Sequence, residues 1–155
     1  MFKIQIRNLQ RRQVNKRFLR KIISQTLKSE SASEDKEVSL ALVSNKEISK
    51  LNERFRGARR ITDVLAFPLG GEFVSTKNLL GEVVISVDKA EEQARRERHS
   101  LKNELALLTV HGVLHLLDYT DEEKEKKEIM RDKEGQILHS LGIEVNLEMT
   151  TNYEQ

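Results

Sequence analysis

Cysteine and tryptophan are both absent from the 155 residues, and proline occurs once. The lack of cysteine excludes a disulfide framework, a thiolate zinc finger, an iron–sulfur cluster and a thiol nucleophile. Aromatic residues are only 5% of the chain, so the sequence shows no platform for stacking bases. No apolar run approaches the ~20 residues needed to cross a bilayer. The opening MFKIQIRNLQRRQ lacks the apolar stretch, roughly 7–15 residues, of a signal peptide. These absences predict a soluble cytoplasmic protein. What is there is one domain's worth of chain, residues 1–155, long enough to hold a core without staples. Residues 149–155 read as a frayed tail. Hydrophobic residues are 37% and charged residues 34%, but the apolar ones are patterned, which excludes disorder.

Charge is unevenly placed. The net value is +2, yet residues 1–29 carry nine Lys or Arg and no acid. The stretch 50–60, KLNERFRGARR, holds five bases and one acid, whereas from Asp118 onward five bases face eleven acids. A basic N-terminal third with a basic loop suits a polyanion, although a solvated helix face has the same composition.

Periodicity supplies the elements. Phe2, Ile4 and Ile6 alternate with polar residues as a half-buried strand does, and so do Val38, Leu40 and Leu42. Val14, Phe18, Leu19, Ile22, Ile23 and Leu27 recur at helical spacing, with basic residues opposite. Ser44 to Glu47 has the form of a capping box, opening a helix with Ile48, Leu51 and Phe55 that Gly57 ends. Thr62–Pro68 reads as a strand closed by proline, 69–78 as a Gly-bearing connection, and Leu80–Ser86 as a buried strand. Ser86 or Asp88 can cap a helix to about Arg98. Ser100 can cap an apolar helix to about Leu117, and Asp121 a last one carrying Ile129, Met130, Ile137 and Leu138. Val145 and Leu147 form a terminal strand or coil. The order β-α-β-α-β-β-α-α-α predicts an α+β domain with a mixed sheet.

The chemistry is concentrated in HGVLH, residues 111–115. Histidines four apart share one helix face, about 5–6 Å between Cβ atoms, and can reach one metal ion. A histidine pair at that spacing is more often structural than ligating. Here the helix is otherwise apolar, so two imidazoles on it need polar partners, and a metal would serve. Gly112 stands where zincins carry a catalytic glutamate, which disfavours a metallopeptidase. Metzincins place a third ligand ten residues after the first histidine. That position holds Asp121, whose carboxylate is a legitimate ligand.

HGVLHLLDYTD resembles H-G-x-L-H-L-x-G-Y-D-H, the signature of the YbeY family of rRNA-maturation endoribonucleases. TDVLAFP, LNERFRG and GEVVIS resemble that family's T-D-V-L-S-F-P, L-N-x-x-[YW]-R-G and G-D-I-V-I-S, in the same order across residues 38–138. The resemblance implies an α+β domain: a small mixed four-stranded sheet with about five helices, one of them metal-bearing and set in a cleft. It implies a zinc-dependent, single-strand-specific endoribonuclease of 16S rRNA 3′-end maturation and ribosome quality control. The partners implied are rRNA and the small ribosomal subunit, with no membrane and no DNA. By motif, the metal ligands fall on His111, His115 and Asp121, and the functional arginine on Arg56. The chain departs from the signature at Asp118 for Gly, Thr120 for Asp and Asp121 for His. Asp is among the residues that tolerate the left-handed backbone a turn needs at 118. Carboxylate for imidazole at 121 lowers the charge of the centre by one, weakens its Lewis acidity and suits Mn²⁺ or another divalent ion as well as zinc. Asp118 is an alternative ligand if the turn shifts, and Asp118 and Glu82 are candidate general bases. Glu104 reads as a helix-face residue or a support for the ligands, His99 and His139 as structural or exposed. The alternative from another class is a non-catalytic ribosome-assembly or RNA-binding factor with a degraded metal site.

Overall fold

A computed structural model describes residues 1–57, 62–68 and 78–145. Arg59 and Arg60 of the basic loop, residues 69–77 of the Gly-bearing connection, Leu147 and the tail from 149 lie outside the described residues. The elements run β1 (Lys3–Asn8), α1 (Lys16–Ser29), β2 (Glu37–Val43), α2 (Asn45–Arg56), β3 (Val64–Pro68), β4 (Leu79–Ser86), α3 (Val87–Glu97), α4 (Leu101–Leu116) and α5 (Lys124–Ser140). The four strands form one mixed sheet in the order β1-β2-β4-β3. β1 and β4 run parallel to β2, and β3 runs antiparallel to β4. This is the α+β architecture that the element order and the motifs imply. No helix among the described residues is long and apolar enough to cross a membrane.

Alternation along the strands divides the sheet into two faces. Ile6, Val38, Leu40, Leu42, Val83 and Ile85 point into the main core with the apolar sides of α1 and α4. Ala41, Val43, Leu65 and Val84 form a smaller core with Ile48 and Leu51 of α2. Helix starts are set by local chemistry. Asn15, Ser44, Ser86 and Ser100 each accept a hydrogen bond from a backbone N–H three residues on, satisfying an orphan donor of the first turn. Ser86 is therefore the cap of α3. Asp88 instead accepts from the Asn45 N–H at 2.8 Å and from Arg12 at 2.6 Å, tying α2 and the N-terminal segment to α3. The Asn45 bond, then Arg12, hold the Asp88 carboxyl below its usual value. Pro68 ends β3, an edge strand, where its missing N–H breaks no ladder. Val145 packs on the core as coil.

One expectation is corrected here. Asp121 does not cap α5. The helix begins at Lys124, its N-cap is Glu123, and no side chain closes that end. Asp121 lies in the connection between α4 and α5, free to turn inward.

Candidate metal centre

α4 is the central element, lying against β3 and β4 on one side and α1, α3 and α5 on the others. Residues 104–114 of it are buried without interruption. Its close seat on the sheet depends on Gly112. A Cβ there would stand 2.5 Å from Val83 Cγ1, so no side chain fits. The glutamate of a zincin therefore has no room at 112. After Leu116 the chain reverses through Asp118, which takes φ 74°, the left-handed conformation that the departure from glycine has to accommodate. The Tyr119 N–H returns to the Leu114 carbonyl at 3.0 Å, and the chain then delivers Asp121 beside the helix.

His111 and His115 face the same way. His111 Nε2 and His115 Nε2 are 3.1 Å apart, and Asp121 Oδ2 is 3.7 Å from the first and 3.9 Å from the second. The ring tautomers follow from what lies behind them. His115 Nδ1 faces the Tyr119 carbonyl at 3.0 Å, an acceptor only, so Nδ1 carries the proton. His111 Nδ1 faces the carboxylate of Glu134, with the same consequence. Both Nε2 atoms are then lone-pair donors aimed at one point, with a carboxylate oxygen as the third. Ligand atoms about 2.0–2.2 Å from a tetrahedral ion stand roughly 3.3–3.6 Å apart. The observed triangle fits such an ion, and it is a group of three able to hold one. Burial, and after it the neighbouring His111, hold His115 below the usual imidazole value, in its neutral ligating form. The Arg56 charge acts in the same direction.

The surroundings sort the remaining candidates. Arg56, exposed in the last turn of α2, lines a cleft of ≈ 120 Å³ with Val64, Ala66, Pro68 and His115. The left-handed Gly57 that follows, φ 74°, ends α2 and lets the chain leave beside this cleft. Asp118 is exposed and is no member of the three-residue group. Glu82 projects to the other side of the sheet, where it pairs with Arg7 at 2.5 Å and Ser39 at 3.0 Å; it is not placed to act as a base at this centre. His99 and Glu104 form a buried pair, and Glu104 also accepts from Gln93 at 2.8 Å, so both are structural. Asp63 is buried beside the site and accepts from the Val64 N–H at 2.8 Å. Desolvation pushes its carboxyl up to about 6, against the opposing pull of His111. The residue that sequence reasoning missed is Glu134. It lies 23 positions beyond His111, and the available signal was an acid set within the apolar stripe of α5.

Comparison with known proteins identifies what the chain is similar to. The family model described as Endoribonuclease YbeY matches residues 3–142. A protein of Caldanaerobacter subterraneus named "Endoribonuclease YbeY" is 41% identical over 133 residues, 78% of this chain and 84% of the relative. One of the same name from Carboxydothermus hydrogenoformans is 50% identical over 107 residues, 69% of this chain and 73% of the relative. The solution structure of a Thermotoga maritima protein is similar with a TM-score of 0.59 at 30% identity, covering 90% of this chain and 91% of that one.

Proposed function

The chain belongs to the endoribonuclease YbeY family, and from that premise we propose that it is a metal-dependent, single-strand-specific endoribonuclease acting in 16S rRNA 3′-end maturation and ribosome quality control. Residues 1–155 act as one cytoplasmic domain, with rRNA and the small ribosomal subunit as partners and neither membrane nor DNA required. The observation that carries the proposal is the convergence of His111 Nε2, His115 Nε2 and Asp121 Oδ2 within a few ångströms, beside a cleft that Arg56 overhangs.

His111, His115 and Asp121 would hold one zinc, or another divalent ion tolerant of an oxygen ligand. When bound, the ion supplies Lewis acidity at the scissile phosphate. Arg56 presents a planar fork of donors to the phosphate oxygens and offsets the charge that builds on them in the transition state. The Asp121 carboxylate draws a cation in but leaves the centre one charge less positive than three imidazoles would, which softens its acidity. The burial that keeps His115 neutral keeps its lone pair available for ligation.

The test joins metal content to cleavage. Purified protein should bind about one equivalent of zinc and cut a single-stranded rRNA fragment in preference to a duplex. Chelation and His111→Ala should both abolish cutting. If the protein binds no divalent ion at micromolar concentration, it is a non-catalytic assembly or RNA-binding factor instead.

A further inference from the structure

Glu134 occupies a position that the pattern of α5 reserves for an apolar side chain. It follows Met130 by four residues and precedes Ile137 and Leu138 by three and four, all of them buried. Its own exposure is 0%. A carboxylate gives up its hydration there and needs compensation from a specific partner. Its Oε2 bonds to His111 Nδ1, while Oε1 is buried with no hydrogen-bond partner among the described residues. No cation pairs with it among the described residues. Lys133, next in sequence, points to Glu30 at 3.2 Å. Arg131 and Lys127 line the same small pocket as Glu134, but among the described residues the ring of His111 is the group to which this carboxylate hydrogen-bonds.

We propose that Glu134 is the positioning residue for His111, locking its Nδ1–H tautomer and aiming its Nε2 lone pair at the point shared with His115 and Asp121. The proposal rests on the metal reading above and deepens it. The two histidines are held by different devices. His115 leans on a neutral backbone carbonyl, that of Tyr119. His111 leans on a full carboxylate, which fixes the ring and also raises the basicity of the opposite nitrogen. His111 therefore lies between two acids, Glu134 behind it and Asp121 in front, 3.7 Å from its Nε2. The stronger donor that Glu134 creates tightens the hold on the ion and, like the carboxylate of Asp121, lowers its Lewis acidity.

The experiment uses the full chain, with zinc as the probe, in parent, Glu134→Gln and Glu134→Ala proteins. Nitrogen-15 spectra of the metal-free protein report the His111 tautomer, and titration calorimetry reports zinc affinity. In the parent, His111 should be the pure Nδ1–H form with a strongly downfield Nδ1 proton. Glu134→Gln, which keeps an acceptor oxygen but no charge, should retain the tautomer, move that proton upfield and weaken zinc binding about 10-fold or more. Glu134→Ala should give a mixture of tautomers and a further loss of affinity. If the alanine variant fails to fold, the glutamine variant alone decides. A Glu134→Gln protein with the parent's zinc affinity and an unmoved His111 proton would overturn the proposal and leave Glu134 a structural residue. A parent that binds no zinc would defeat the metal reading, while the metal-free spectra would still decide what Glu134 does to His111.

Discussion

Adding one carbon atom at Gly112 should separate the helix of the metal centre from the sheet. The Cβ of Gly112→Ala would stand 2.5 Å from Val83 Cγ1, 3.0 Å from Cγ2 and 3.3 Å from Cβ. Carbon atoms pack best at about 3.5–4.0 Å, so α4 and β4 must part locally by roughly 1 Å. Neither side yields cheaply, because Val83 and the length of α4 around Gly112 are fully buried. Overpacking of this kind costs about 1–3 kcal/mol. Alanine's better helix propensity returns roughly 0.5–1 kcal/mol, leaving a net destabilisation of about 1–2 kcal/mol. Val83→Ala removes both clashing methyl groups. The double variant should therefore be more stable than the sum of the two single losses predicts, with a coupling of about 1 kcal/mol or more. Urea unfolding followed by far-UV circular dichroism on the four proteins measures it. Gly112→Ala at or above the parent's stability, or strictly additive losses, would refute the close-packing account. It would also reopen position 112 to the larger side chains of zincins.

Three further outcomes are expected. Asp63 is buried with its carboxyl raised to about 6 from 3.8, so the fold prefers its protonated form; that contribution, about 3 kcal/mol at most, is complete below pH ~4 and lost as pH rises through about 6. Asp63→Asn should remove this decline, seen as a parent-minus-variant difference in urea stability that changes between pH 4 and 7; a difference flat with pH would contradict it. Arg56→Glu should reduce cleavage of single-stranded rRNA by about 100-fold or more while leaving the urea midpoint unchanged, because Arg56 is exposed; a large loss of stability would make it a structural ion pair instead. Binding of an rRNA fragment should weaken steeply with salt, and Arg17→Glu with Lys21→Glu, both exposed on α1, should flatten the log–log slope by roughly 1.4; affinity independent of salt would leave the N-terminal cluster a solvated face.

The elements were legible because most are fixed locally. Alternation marked the strands, and Ser44, Ser86 and Ser100 marked three helix starts that the structure reproduces as caps. Gly57 marked a helix end because its left-handed φ is a backbone property that one residue can announce. The His111–His115 pair was legible for the same reason, since four residues on a helix is a distance. What depended on tertiary placement was not legible. Glu82 looked available as a base, but the pleat turns it to the face opposite α4. Asp63 stands within the stretch read as the Thr62–Pro68 strand, and its burial beside His111 depends on how β3 and α4 pack.

The misplaced cap at Asp121 and the unseen Glu134 have one cause. The acid-rich stretch after Asp118 reads, by composition, as a helix start followed by a solvated face. α5 begins instead at Lys124, with no side chain spent on its cap. That leaves Asp121 in a turn, where the reversal at Asp118 carries it to within 3.9 Å of both imidazoles. Ten residues beyond Lys124 in α5, Glu134 breaks the apolar stripe to meet the far side of the His111 ring. Two of the eleven acids in this third of the chain therefore face inward, toward one histidine from opposite sides. Charge counting cannot separate them from their exposed neighbours. The fold does so by burying Glu134 completely and Asp121 nearly so, and buried carboxylates on either side of an imidazole favour a bound cation between His111, His115 and Asp121.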